Sequence, residues 1–103
     1  MVDFANPYVV CNKENKKVSS EELARLLRVA LSSEFEAIQI YQQVASATDN
    51  KLTREVLLDI ANEETVHVGE LLKLMKVLFE DEYNLYKQGF KEVEDMIEKL
   101  KES

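Results

Sequence analysis

A chain of 103 residues makes one small domain, which removes roughly two thirds of its unfolded surface from water and leaves no room for two sizeable cores. Thirteen Lys and Arg against twenty Asp and Glu give a net charge of −7, the wrong sign for gripping a nucleic-acid backbone and the right one for holding cations. Two Gly and one Pro are too few for the turns of a β-rich fold, and 46% hydrophobic residues are too many for general disorder, so the composition predicts a protein of long helices.

Residues 1–18 carry Asn6-Pro7, an apolar Tyr8-Val9-Val10 and a polar run to Lys17. They have no sustained period and read as a flexible arm ahead of a helical domain over 19–103. No cationic leader precedes an apolar run, and no window offers ~18 uninterrupted apolar residues. The expectation is a cytoplasmic protein with no membrane partner. Cys11 is the single cysteine, so one chain can form neither a disulfide nor a CxxC motif, and no cysteine chemistry is assigned to it.

Ser19-Ser-Glu-Glu22 fits a capping box, in which the Ser19 hydroxyl accepts from the Glu22 amide and the Glu22 carboxylate accepts from the Ser19 amide. A helix should start there. Leu23, Leu27, Ala30, Ala37, Ile38, Tyr41, Val44 and Ala45 recur at intervals of three and four, until Thr48-Asp-Asn-Lys51 supplies turn and N-cap types. The first helix therefore spans residues 20–48 and is about 43 Å long. The pattern resumes through Val56, Leu57, Ile60, Ala61, Val68, Leu71, Leu72, Met75, Leu78 and Phe79, a second helix antiparallel to the first across a short turn. Glu80-Asp-Glu82 interrupts it, with Asp81 as the expected N-cap. Tyr86, Phe90, Val93, Ile97 and Leu100 mark a shorter third helix whose aromatic positions, like Met75 and Phe79, are read as core. Gly89 costs that helix about 1 kcal/mol relative to Ala, so it either ends a fragment or permits close packing.

Most acids lie on solvated faces among Lys and Arg, but three polar residues interrupt the apolar seams. Glu34 sits seven residues before Tyr41, a rotation of about −20° along the same stripe. On the second helix the seam steps from Leu57 and Ile60 to Glu64, to His67 and on to Leu71. A lone buried carboxylate is costly enough that it usually takes up a proton; a metal ion would relieve the cost. Glu-x-x-His sets a carboxylate and an imidazole on one helix face, and four-helix di-iron and di-manganese proteins build their centres from one Glu on each of two helices and Glu-x-x-His on each of the other two. One hairpin of this chain supplies half of that set, at matching heights, since Glu34 lies fifteen residues before Asp49 and Glu64 fifteen after. Two chains would bring four carboxylates to two divalent ions. Hard oxygens with imidazole favour Fe or Mn over Cu(I), and Zn fits by ligand type.

Tyr41 has two readings: a phenol that hydrogen-bonds a metal ligand or gives up an electron, or a seam aromatic. Glu63 and Glu70 flank His67 by one turn on either side and read mainly as solvated edge residues, with a hydrogen-bonding role toward the imidazole as the alternative. Glu36 is expected to face outward.

At Ser20 to Arg28, at Ser33-Glu-Phe-Glu-Ala-Ile-Gln-Ile-Tyr41 and at Val56 to Glu70, including Glu-Glu-Thr-Val-His67, the sequence resembles the ferritin-like superfamily. Within it, the nearest likeness is to the rubrerythrin-related encapsulated ferritin-like proteins, and it covers about residues 18–100. The resemblance implies an all-α fold in which two hairpins form a four-helix bundle. It also implies a ferroxidase that oxidises Fe²⁺ with O₂ at a di-iron centre across a homodimer, two irons per dimer, for iron storage or detoxification. Glu34, Glu64 and His67 would be the iron ligands and Tyr41 the tyrosine beside them, with Mn or Zn as substitute ions. It further implies a ring of five dimers and an encapsulin shell as partner and location. The chain departs from the pattern in two places. It ends Glu98-Lys-Leu-Lys-Glu-Ser103 where packaged cargo carries a Gly-containing apolar targeting peptide, although in some relatives the domain is fused ahead of the shell protein. Ser33 also stands where some relatives carry an acid on the metal's path inward. Two alternatives belong to other classes, a non-catalytic metal-binding helical assembly module and a rubrerythrin-like di-iron peroxidase.

Overall fold

The computed structural model describes residues 17–103; Cys11 and nearly all of the arm expected over 1–18 lie outside the described residues. Three helices follow one another, α1 Ser20–Ala47, α2 Lys51–Leu78 and α3 Glu80–Lys101, with no strand among the described residues. None is long and apolar enough to cross a membrane. The chain divides into two compact units, Met1–Lys73 and Leu74–Ser103. The first holds α1 and most of α2; the second holds the end of α2 and all of α3.

In the first unit the ends of the hairpin are set by polar bonds that the sequence specifies locally. Ser19 is the N-cap of α1: its Oγ accepts from the Glu22 amide at 3.1 Å and the Glu22 carboxylate accepts from the Ser19 amide at 3.1 Å, the reciprocal capping box expected. At the turn, Asn50 Oδ1 accepts from the Thr53 amide at 2.8 Å while the Asn50 carbonyl accepts from the Arg54 amide at 3.0 Å. Asn50 thus caps α2, and the turn closes further through the Asn50 amide donating to Thr48 Oγ1.

The C-terminal end of α1 has no basic residue in its last turn, yet its last carbonyls do not go unmet. Arg54, one turn into α2, reaches back and donates from Nη2 to the Thr48 carbonyl at 2.7 Å and from Nε to the Ala45 carbonyl at 3.3 Å. This cation meets the negative end of the helix dipole and two orphan acceptors at once. Periodicity reveals no such clamp, because the residue it serves lies on the other helix.

The seam between α1 and α2 closes on small side chains. Ala45 and Ala61 are almost fully buried, Ala24, Leu31 and Val68 are buried, and no large side chain is completely enclosed. Of the expected core, Val44, Val56, Leu72 and Leu78 are instead exposed, as are Phe35, Ile40 and Val66 outside it. A hairpin offers each helix one neighbour, so an apolar stripe more than ~100° wide is covered on one flank only. Ala24 and Leu31, which the pattern reading passed over, lie seven and fourteen residues before Ile38 on the line that ends in Ala45.

In the second unit the break before α3 is narrower than expected. Phe79 alone is non-helical, with φ −130° and ψ 67°, and no side chain caps it. Its amide still donates to the Met75 carbonyl and its carbonyl accepts from Tyr83. Asp81 is therefore not the N-cap; with Glu80 and Glu82 it forms an acidic first turn, placed where the helix dipole favours negative charge. Met75 is buried and Phe79 half-buried, but Tyr86 and Phe90 are exposed and α3 buries no residue, so those two aromatics are not core within the chain. Gly89 neither ends the helix nor relieves a contact, since a Cβ added there would meet nothing within 4 Å.

At a fixed protein concentration, Arg54→Ala should lower the unfolding free energy in a denaturant titration by about 1–2 kcal/mol, with Arg54→Lys recovering only part of it. Ser19→Ala should cost about 1 kcal/mol. Equal midpoints for Arg54→Ala and the parent would remove the clamp from the account.

Candidate metal centre

Glu34 stands near the middle of α1, and Glu64 and His67 stand one turn apart near the middle of α2. The Asn50 cap and the Arg54 clamp fix the register of the hairpin, and that register brings the three together. His67 Nδ1 lies 3.6 Å from Glu34 Oε2 and 3.5 Å from Glu64 Oε2. One donor atom from each residue falls within 4.8 Å of the others, the one group of three or more His, Cys, Asp or Glu side chains that converges in this way among the described residues.

The side chains of Glu34 and Glu64 are 25% and 22% exposed, and that of His67 is 50% exposed. They are therefore half-buried at the open flank of the hairpin; no polar or charged residue among those described is buried outright, which corrects the expectation of core positions. The burial that matters is that of single atoms. Glu34 Oε2 has almost no contact with solvent and no hydrogen-bond partner, and 3.6 Å to His67 is too long for a hydrogen bond. A desolvated, unsatisfied carboxylate oxygen beside a second carboxylate costs free energy twice, once through lost hydration and once through like-charge repulsion.

A cation removes both costs, and this donor set suits one. Metal–oxygen and metal–nitrogen bonds near 2.0–2.2 Å place neighbouring donors about 3 Å apart, so the observed spacings need close by only about half an ångström. Two carboxylate oxygens and one imidazole nitrogen suit Fe, Mn or Zn. Three donors leave an octahedral ion's shell half filled, and the exposed side of His67 is where further ligands could come from.

The remaining candidates are placed as follows. Tyr41 is half-buried two turns along α1, and no hydrogen bond joins it to the three donors. Glu63 and Glu70 are exposed on either side of His67, as a solvated edge would be. Glu36, expected to face outward, is half-buried. Thr65, between Glu64 and His67, returns its hydroxyl to the Ala61 carbonyl at 2.8 Å and is not drawn into the donor set.

Comparison with known proteins agrees with the fold and with the type of site. The rubrerythrin family matches residues 25–102. The chain is 36% identical over 91 residues to a ferritin-like-encapsulin shell fusion protein of Pyrococcus furiosus, covering 88% of this chain and 26% of that protein. It is 32% identical over 60 residues to the encapsulin nanocompartment cargo protein EncC of Myxococcus xanthus, covering 58% of this chain and 46% of that one. It thus spans about a quarter and just under half of the lengths of these relatives. Among solved structures, the encapsulated ferritin domain from Pyrococcus furiosus superposes with a TM-score of 0.77 at 35% identity, over 91% of this chain and 94% of that one. A three-helix fold with paired long helices, a Glu, Glu, His donor set at the middle of the hairpin and a family match over three quarters of the sequence lead to one conclusion: the chain belongs to the rubrerythrin family of ferritin-like proteins.

Proposed function

We propose that the chain is a ferroxidase whose centre is completed by a second copy, with Glu34, Glu64 and His67 of each chain as ligands and Fe²⁺ as substrate. The observation that carries this reading is the convergence of the three donors around a buried, unsatisfied carboxylate oxygen. One chain offers half of a di-iron ligand set. Two chains related by a two-fold axis bring four carboxylates and two imidazoles, and the four negative charges neutralise two Fe²⁺ ions.

The residues have distinct tasks in this scheme. Glu64 bridges the two metals and Glu34 binds terminally or shares the bridge. His67 supplies the nitrogen donor through the ring nitrogen that faces the carboxylates. Two Fe²⁺ each lose one electron to O₂, which takes up two protons to leave as hydrogen peroxide, and two Fe³⁺ result. The extra positive charge is no longer matched by four carboxylates, which favours release of the product toward storage. Tyr41 stands on the Glu34 stripe, where its phenol hydrogen-bonds a ligand through water or gives up an electron. The open flank of the hairpin, with Val44, Val56 and Ile40 exposed, is the surface that the second chain covers.

The two relatives named above are a shell fusion and a shell cargo protein, which supports an encapsulin compartment as the place where this chain delivers ferric iron. Membership of the rubrerythrin family supports one second reading, in which hydrogen peroxide rather than O₂ is the preferred oxidant.

Anaerobic titration with Fe²⁺ should saturate at one iron per chain, and admission of air should raise a near-ultraviolet ferric absorbance. Glu64→Ala and His67→Ala should both reduce that rate to the level of buffer, and parent protein that oxidises iron no faster than buffer would sink the ferroxidase reading. Peroxide outpacing O₂ in the same assay would transfer the activity to the peroxidase. Zinc found by elemental analysis, without iron turnover, would leave only a structural metal site.

Glu34→Leu should lose iron binding yet raise the stability of the metal-free protein by about 1 kcal/mol, because it removes an unpaired desolvated charge. Solution mass measured with and without Fe²⁺ should increase on adding metal.

A further inference from the structure

From the pattern along α3 we infer that this helix pairs with α3 of a second copy, antiparallel and in one defined register, forming an interface separate from the metal-binding flank of the hairpin. From Phe79 to Leu100 the apolar residues recur strictly at intervals of four and three, the seam of a coiled coil rather than the broader stripe of a globular helix. Tyr83, Phe90 and Ile97 take the a positions, and Phe79, Tyr86, Val93 and Leu100 the d positions. The seam is physically continuous at its aromatic end: the Tyr83 ring meets the rings of Tyr86 and Phe90 edge-on, with centroids 6.4 and 6.5 Å apart. Yet Phe90, Val93 and Leu100 are 54%, 55% and 73% exposed and α3 buries nothing. An isolated helix of 22 residues with such a face is marginal in water.

Three features of the sequence identify the occupant as the same helix running the other way. The first is volume. The large aromatics lie in the first half of the seam and the aliphatics in the second, so antiparallel pairing sets Tyr83 on the partner's Leu100, Tyr86 on the partner's Ile97 and Phe90 on the partner's Val93. Every layer then holds one ring and one aliphatic, whereas parallel pairing would stack rings on rings at one end and aliphatics at the other.

The second is charge. The positions after d read Glu80, Lys87, Glu94 and Lys101, and in this register they oppose one another as Glu80 with the partner's Lys101 and Lys87 with the partner's Glu94. A shift of one heptad either way sets Lys87 against the partner's Lys101 with Glu94 against itself, or Glu80 against the partner's Glu94 with Lys87 against itself. Both shifts are repulsive, so the charges select one register.

The third is the glycine. Gly89 precedes the a position Phe90, and Met96 precedes Ile97. In this register each Gly89 lies beside the partner's Met96, an unbranched side chain suited to filling the gap left by a missing Cβ. A residue that is unfavourable in a helix and has nothing near it in its own chain thereby gains a neighbour.

The test is the association constant of the full-length chain without metal, by sedimentation or light scattering over a concentration series, with circular dichroism to confirm unchanged helix content. Lys87→Glu and Glu94→Lys should each weaken association about tenfold, because the two-fold axis turns two attractive contacts repulsive at once. The double variant Lys87→Glu/Glu94→Lys should restore the parent value. Glu94→Lys also separates the orientations, since in a parallel pair position 94 faces the partner's Gly89 and the change would have little effect. Single variants that associate like the parent, or a folded double variant that stays as weak as the singles, would overturn the antiparallel pairing.

Discussion

A hairpin of two helices can turn only one face of each toward the other, and most of what distinguishes this protein follows from that limit. The mutual face closes well on Ala45, Ala61 and Val68, while Phe35, Val44 and Val66 stay in contact with water. The same limit sets the condition of Glu34 and Glu64. At the edge of the closed face they are covered enough to lose hydration and not enough to be enclosed, and Glu34 Oε2 is left with neither water nor a partner. Apolar flank and converging acids are thus two consequences of one unfinished seam. Whatever covers the flank and whatever neutralises the acids act on the same few side chains, so metal occupancy and association are expected to be thermodynamically linked.

Stability and reactivity are distributed accordingly along the hairpin. Its two ends are tied by local polar bonds, the Ser19–Glu22 box at one and the Asn50 cap with the Arg54 clamp at the other. Its centre carries the charges that oppose folding. Locating the destabilising groups far from the ends lets the caps hold the register while the centre stays free of compensating hydrogen bonds, which would compete with a cation. Local consistency everywhere except at the working site is the general mark of a functional compromise.

How far this could be read from sequence depended on the range over which each signal acts. The capping box needed four residues and was legible in full. Glu34, Glu64 and His67 could be brought together by counting along two helices from one turn, because helix geometry carries register over long distances without error larger than a residue or two. Ala24 and Leu31 were missed because small or isolated apolar residues weigh little in a stripe judged by bulk. Asp81 was mistaken for a cap because acids are favoured both at the N-cap and in the first turn, and only backbone angles distinguish the two. Arg54 was invisible for a different reason. Its partners are carbonyl groups, which every residue possesses and no sequence displays. Reading Tyr86 and Phe90 as core was an error about the boundary of the object, since apolar periodicity reports that a face is to be covered without saying that its own chain will cover it.

Phe79 gives this last point a geometric form. It is the single non-helical residue between two helices whose hydrogen-bond ladders otherwise nearly join, through Met75 on one side and Tyr83 on the other. Its two backbone angles therefore set the direction in which α3 leaves the last turn of α2. In an assembly that uses one self-complementary face on the hairpin and another on α3, alternating two-fold axes generate a closed ring with an even number of chains. The number of chains in such a ring is its curvature, and here the curvature would be stored in the φ and ψ of one residue, so that a rotation of a few tens of degrees at Phe79 would separate a small ring from a large one or from an open filament.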